Sequence, residues 1–142
     1  MGVEIRGAQM GEVDAILEFW REAAEGTSVS DDPAGVTTLI TRDPEALLLA
    51  EMDGRIVGSI IAGWDGWRAH LYRLAVHPEY RRRGIGTALL QAAEQRLIAL
   101  GARRGDAMVL DRNTLAHHAW SAAGYTRDTP WTRWIKRWPP TR

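Results

Sequence analysis

Between Leu71 and Leu90, LYRLAVHPEYRRRGIGTALL, an apolar β-prone run passes through a short turn into Arg81-Arg82-Arg83-Gly84-Ile85-Gly86 and then into a helical pattern. A strand feeding a helix in this way calls for layered packing, because the helix has to cover the sheet. The same order builds an anion site. N–H groups at the start of a helix have no partners within it, and the helix dipole adds partial positive charge there. Gly84 and Gly86 let a ligand approach the main chain, while three arginines supply fixed charge and forked donors. The expected ligand is a polyphosphate. It is not a nucleoside triphosphate held by a Gly-x4-Gly-Lys-Ser/Thr loop, which is absent, and Gly84-x-Gly86 is not continued to the third glycine of a dinucleotide fold.

The rest of the chain supports one such layered unit. Val3–Ala8 alternates as a strand, and Glu12–Ala24 carries Val13, Ile16, Leu17 and Trp20 at helical spacing, with Gly26 as its stop. Thr27–Asp32 reads as a loop that could border a substrate, and Pro33 opens a helix to about Arg42. Ala46–Met52 and Arg55–Ala62 are β-prone runs joined by Asp53-Gly54, a type I′ hairpin signal. A turn at Gly63–Gly66 leads to a strand over Arg68–His77, and the next helix places Ile85, Leu89, Ala93, Leu97 and Leu100 on one face before Gly101 ends it. A short strand at Ala107–Leu110, a helix capped by Asn113 and ended by Gly124, and a last strand in WTRWIKRW complete the pattern. Strands outnumber helices and the hairpin points to antiparallel pairing, so the expected fold is α/β with a mixed sheet in a single domain spanning 1–142.

Composition narrows the function. With 18 basic and 18 acidic side chains the chain is formally neutral, which argues against a nucleic-acid partner for the arginine triplet. Zero cysteines remove disulfides, thiolate metal ligands and a cysteine nucleophile. No metal site is expected, since His117 and His118 face different directions and have no third ligand. The start MGVEIRGAQ is not an apolar signal segment, and no run approaches the roughly 18 apolar residues of a membrane helix. A soluble cytoplasmic protein with no membrane partner is the expectation.

The Arg-x-x-Gly-x-Gly spacing after Leu74-Ala75-Val76 resembles the acetyl-CoA loop of the GNAT family of N-acetyltransferases. A second segment, Asn113 to Tyr125, resembles the family's Asn-x-x-Ala-x-x-x-Tyr-x-x-x-Gly-Phe helix. Together they extend the likeness over nearly the whole chain. The turn Gly63-Trp64-Asp65-Gly66-Trp67-Arg68 also resembles one found in a small bacterial branch of the family whose members are uncharacterised. The resemblance implies a mostly antiparallel sheet of about six to seven strands with about four helices, its fourth and fifth strands splayed to admit the cofactor.

It also implies roles for particular residues. Main-chain N–H groups from Arg82 through Gly84, Ile85 and Gly86 to Thr87 would hold the pyrophosphate of acetyl-CoA, and Arg81, Arg82 and Arg83 would neutralise its remaining charge. The main chain of Leu74, Ala75 and Val76 would bond the pantetheine arm like another strand, Asn113 would reach it, and N–H near Val76 would stabilise the oxyanion. Trp120 stands where the family commonly has a tyrosine that protonates the departing thiolate. Indole is no practical acid near neutral pH. Three readings stay open: water or another side chain supplies the proton to a leaving group of thiol pKa near 8.5, Trp120 shapes the tunnel, or the protein binds CoA and turns over slowly.

A base for the incoming amine is expected at His70, four residues before Leu74, with Tyr72 binding substrate or relaying protons. Strict alternation puts His70, Tyr72, Leu74 and Val76 on one face and Leu71, Arg73 and Ala75 on the other. Asp65 and Asp111 read as turn residues. The implied activity is direct acetyl transfer from acetyl-CoA to a primary amine of a small molecule or peptide, without a covalent enzyme intermediate. The alternative is a catalytically weak CoA-binding regulatory module. Seven tryptophans, several in the tail, make a homodimer contact a further expectation.

Overall fold

The computed structural model describes residues 2–24 and 30–138. Five strands, β1 (Glu4–Gly7), β2 (Leu47–Met52), β3 (Arg55–Trp64), β4 (Ala69–Val76) and β5 (Gly105–Ala107), lie in the order β1-β2-β3-β4-β5. The first three pairings are antiparallel and β4–β5 is parallel. Four α-helices cover the sheet: α1 (Val13–Ala23), α2 (Pro33–Arg42), α3 (Ile85–Leu100) and α4 (Thr114–Ala122).

Local chemistry accounts for the boundaries. The Asp32 side chain accepts from Gly35 N at 2.7 Å and Pro33 fills the first turn of α2. Asp53 and Gly54 take φ of 55° and 75°, the pair of positive values that a type I′ turn requires. Gly101 ends α3 at φ 108°, its N–H bonded to Ile98 O. The Gly26 stop and the first half of the Thr27–Asp32 loop lie outside the described residues.

Two apolar cores form, one on each side of the sheet. Ile60, Ala62, Ala69 and Leu71 pack with Ile85, Leu89, Ala93 and Leu97 of α3 and with Trp120 of α4. Leu47, Leu49 and Ala75 pack with Ile16, Phe19 and Trp20 of α1 and with Val36 and Ile40 of α2. Helix α3 lies so close to β3 that a Cβ at Gly58 would stand 2.8 Å from Leu89 Cδ1.

Several expectations need correction. The tail forms no strand among its described residues, so the sheet has five strands rather than six or seven. Leu100 is exposed and does not extend the buried face of α3. The fifth strand lies at Gly105–Ala107, not Ala107–Leu110, because only those three residues stay within pairing distance of β4, opposite Ala69, His70 and Leu71.

The alternation along β4 is also broken. Ala69, Leu71, Leu74 and Val76 all join the core under α3, whereas Ala75 joins the opposite one. Between Leu71 and Leu74 the period of two fails, since the β3–β4 register shifts between Ser59 and Ile61 and Arg73 takes φ 52°. This is a β-bulge: an extra residue in β4 resets which side chains face which layer. His70 and Tyr72, with ring centroids 6.2 Å apart, therefore do not share a face with Leu74 and Val76.

Candidate active site

Beyond Leu71, strand β4 runs on with β3 on one side and, among the described residues, no strand on the other, because β5 has turned away. The gap opens into a cleft of about 760 Å³. Leu74, Ala75 and Val76 form one wall, Asn113 and the small residues Ala116 and Ala119 of α4 the other, and α3 lies along it. That volume lies within the range of pockets for small-molecule ligands.

At the mouth, the turn into α3 presents main chain rather than side chains. Arg82 has φ 65° and Gly84 φ 80°, so left-handed residues alternate with an ordinary one just before the helix, an arrangement that turns successive N–H groups toward a common anion. Gly84 then stands as the N-cap of α3 without a side-chain bond to the exposed N–H groups. A Cβ built on Gly86 would meet nothing nearer than Val76 Cγ2 at 3.6 Å, leaving open space above the first turn. Arg81 and Arg82 line the cleft with Gly84, Ile85, Gly86 and Thr87. The residues present therefore fit a pyrophosphate-bearing ligand with a long arm.

The arginines divide their work. Arg81 folds back so that its Nε donates to Val76 O at 3.2 Å, tying the loop to the end of β4. Arg83 lies over the Tyr80 ring, 5.0 Å from its centroid, and is not part of the cleft wall. Asn113 caps α4, its Oδ1 accepting from Ala116 N at 3.1 Å, and its exposed side lines the cleft.

Trp120 is buried under the sheet, packed edge-on against Tyr125 with centroids 4.9 Å apart, and does not line the cleft. Its neighbour Ala119 does, so α4 turns a small-residue face to the cavity and the indole to the core. Tyr125 donates its hydroxyl to Glu94 Oε2 at 2.7 Å, and Glu94 is part of the wall. Burial, and then the bond and charge of Glu94, push the Tyr125 pKa well above the ordinary phenol value. That hydroxyl is a poor acid.

His70 and Tyr72 lie further down β4 on the other face and do not line the cleft. Tyr72 is 47% exposed, and burial together with the Asp65 charge raises its pKa, so the hydroxyl stays protonated at neutral pH. Asp65 accepts from the main-chain N–H of Arg68 at 2.7 Å and of Trp67 at 2.8 Å, bonds that hold its carboxyl below the ordinary range. It serves the turn, as its position suggested. His117 Nε2 sits 2.9 Å from Leu110 O, a bond that ties α4 to the preceding loop.

Sequence reasoning missed the wall made by Leu90, Gln91 and Glu94. Counting three, four and seven residues on from Thr87 along a helix finds all three. The alanine face at Ala116, Ala119 and Ala123 follows from Asn113 by successive helical steps of three, three and four.

Known proteins share this arrangement. An acetyltransferase of Yersinia pestis (strain Pestoides F) is 34% identical over 128 residues, covering 89% of this chain and 91% of its own. The solved structure of the PaiA N-acetyltransferase of Thermoplasma acidophilum, in complex with coenzyme A, superposes with a TM-score of 0.79 at 23% identity, covering 89% of this chain and 91% of that one. The diaminobutyrate acetyltransferase EctA of Paenibacillus lautus, in complex with L-2,4-diaminobutyric acid and coenzyme A, superposes at 0.72 with 21% identity over 86% and 74% of the two chains. The sequence profile of the acetyltransferase (GNAT) family matches residues 13–125. With the splayed strands and the main-chain anion turn, that match leaves one conclusion: the chain belongs to the GNAT acetyltransferase family.

Proposed function

We propose that the protein transfers the acetyl group of acetyl-CoA directly to the amine of a small-molecule or peptide acceptor. The carrying observation is the unpartnered edge of Leu74–Val76, which runs straight up to the Arg82–Gly84 turn at the start of α3. An extended pantetheine arm laid along that edge ends with its pyrophosphate at the helix N-terminus. Main-chain N–H groups from Arg82 to Thr87 then hold the phosphates, with Arg81 and Arg82 neutralising charge. The Leu74–Val76 main chain bonds the arm and Asn113 contacts it from α4.

At the thioester, main-chain N–H groups at the bulge end of the Leu74–Val76 wall, rather than those near Val76 that the sequence suggested, polarise the carbonyl as the amine attacks. His70 takes the amine proton through water, since it does not reach the cleft wall, with Tyr72 beside it as a hydrogen-bond donor. Trp120 acts from behind α4, setting where the alanine face stands. The thiolate is protonated from solvent, because Tyr125, which meets the cleft wall through Glu94, is committed to that carboxylate. That same commitment favours the second reading, a CoA-binding module of low turnover.

Calorimetric titration with acetyl-CoA, followed by thiol release against an amine panel, separates the two. Micromolar binding with amine-dependent release is expected. Binding without release with every amine selects the module, and absence of binding overturns the cleft assignment.

A further inference from the structure

The β4 bulge is held from below by side chains outside the cleft. Ser59 of β3 is fully buried. Its hydroxyl donates to Arg73 O at 2.8 Å and accepts from Trp20 Nε1 of α1 at 3.0 Å. The indole thus orients the hydroxyl, and the hydroxyl holds the main-chain carbonyl of Arg73 at the register shift. The side chain of the same residue is held as well: the Arg73 guanidinium pairs with Asp31, ahead of α2, and lies 5.6 Å from the centre of the Trp20 ring. A non-glycine residue with φ 52° inside a strand is strained, and it persists only where its surroundings dictate it. Here they do so at both main chain and side chain.

The position of this brace gives it a consequence. Arg73 lies between Leu71, the last residue of β4 paired with β5, and Leu74, the first residue of the cleft wall. The bulge therefore turns Leu74 and Val76 toward α3 and aims the N–H groups beyond it. Resting on the acetyl-transfer reading above, we propose that Ser59 and Trp20 are positioning residues for the reaction: through the Arg73 carbonyl they set the thioester end of the cleft. They do not touch the phosphate turn, which lies at the other end of the Leu74–Val76 wall.

The brace predicts a split between binding and chemistry. In Ser59→Ala, coenzyme A affinity by calorimetry stays within about threefold of the unaltered protein, while kcat for the best amine falls by about 10-fold to 100-fold, as expected when reacting groups are misplaced. Trp20→Phe keeps the Ser59 bond to Arg73 but frees its orientation, and gives a smaller fall in kcat with the same retained affinity. The double variant is no worse than Ser59→Ala, because both changes act through one bond. An unchanged kcat in folded Ser59→Ala overturns the proposal. So does a parallel fall in affinity and kcat that follows the loss of melting temperature, the signature of general loosening. If Ser59→Ala does not fold, Trp20→Phe decides by the same split. Failure of the acetyl-transfer reading itself shows separately, as no thiol release from the unaltered protein.

Discussion

Gly86 shows how one residue can matter to the ligand and not to the fold. Its Cβ position meets only Val76 Cγ2 of the cleft wall, at an ordinary contact distance of 3.6 Å, so a side chain there need not displace the core. Gly86→Glu is expected to lower coenzyme A affinity by about 100-fold or more, roughly 2.7 kcal/mol, by placing a carboxylate where the anion must sit. Its melting temperature should stay close to that of the unaltered protein. Calorimetry and thermal unfolding on the same sample test this, and retained affinity would remove the phosphates from the α3 N-terminus. Ser59 is the contrasting case. It touches no ligand, yet its loss leaves the Trp20 N–H buried without an acceptor, a cost of about 1–3 kcal/mol. Nothing in the sequence around Ser59 marks it, because its partners are 14 and 39 residues away. The turn from Arg81 to Gly86 was legible because its main-chain N–H groups come from adjacent residues.

Among the elements, the joint between β1 and α1 depends most clearly on pH. Glu12 receives both Nη1 and Nη2 of Arg6, at 2.9 and 2.6 Å, and the N–H of Gln9 at 2.9 Å. The Arg6 bond is the main cause that holds its carboxyl below the ordinary value of 4.5. A lowered folded-state pKa means stability that is present above the unfolded value and lost as pH falls through the folded one. Glu12→Gln should therefore be less stable than the unaltered protein by about 1 kcal/mol at neutral pH. The gap should shrink toward zero as the pH falls through the ordinary carboxyl value of 4.5 and then through the lower value of folded Glu12. Urea unfolding midpoints across that range check it; a gap that is constant with pH would mean that Glu12 acts through packing alone. Strand β4 is the element whose reading changed most. Its limits and apolar character were legible, but the alternation used to place His70 and Tyr72 beside Leu74 assumed a regular ladder. One extra residue at Arg73 separates them.

On the scale of the whole molecule, the aromatic tail is the most exposed apolar stretch among the described residues. Trp131, Trp134, Ile135 and Trp138 are exposed, Trp134 by 92%, and no strand forms among them. Exposed apolar clusters of this kind favour association. Truncation after Pro130 should abolish any concentration-dependent rise in sedimentation coefficient while leaving coenzyme A affinity within about threefold, because none of the described tail residues lines the cleft. Association that survives truncation would move the contact elsewhere.

The division between what the chain announces and what its folding decides follows the range of the interactions. Legible in the chain were the α/β layering, the Asp53-Gly54 hairpin, Pro33 in the first turn of α2, the caps at Asn113 and Gly101, and the glycine-bearing turn at the start of α3. Each depends on φ preferences and hydrogen bonds among residues a few positions apart. Only the tertiary structure decided where β5 leaves β4, which face of α4 borders the cleft, that Trp120 turns into the core, and that a bulge resets β4. Those outcomes rest on contacts between distant segments, above all the Trp20–Ser59–Arg73 brace, whose geometry exists only once α1, β3 and β4 have packed together.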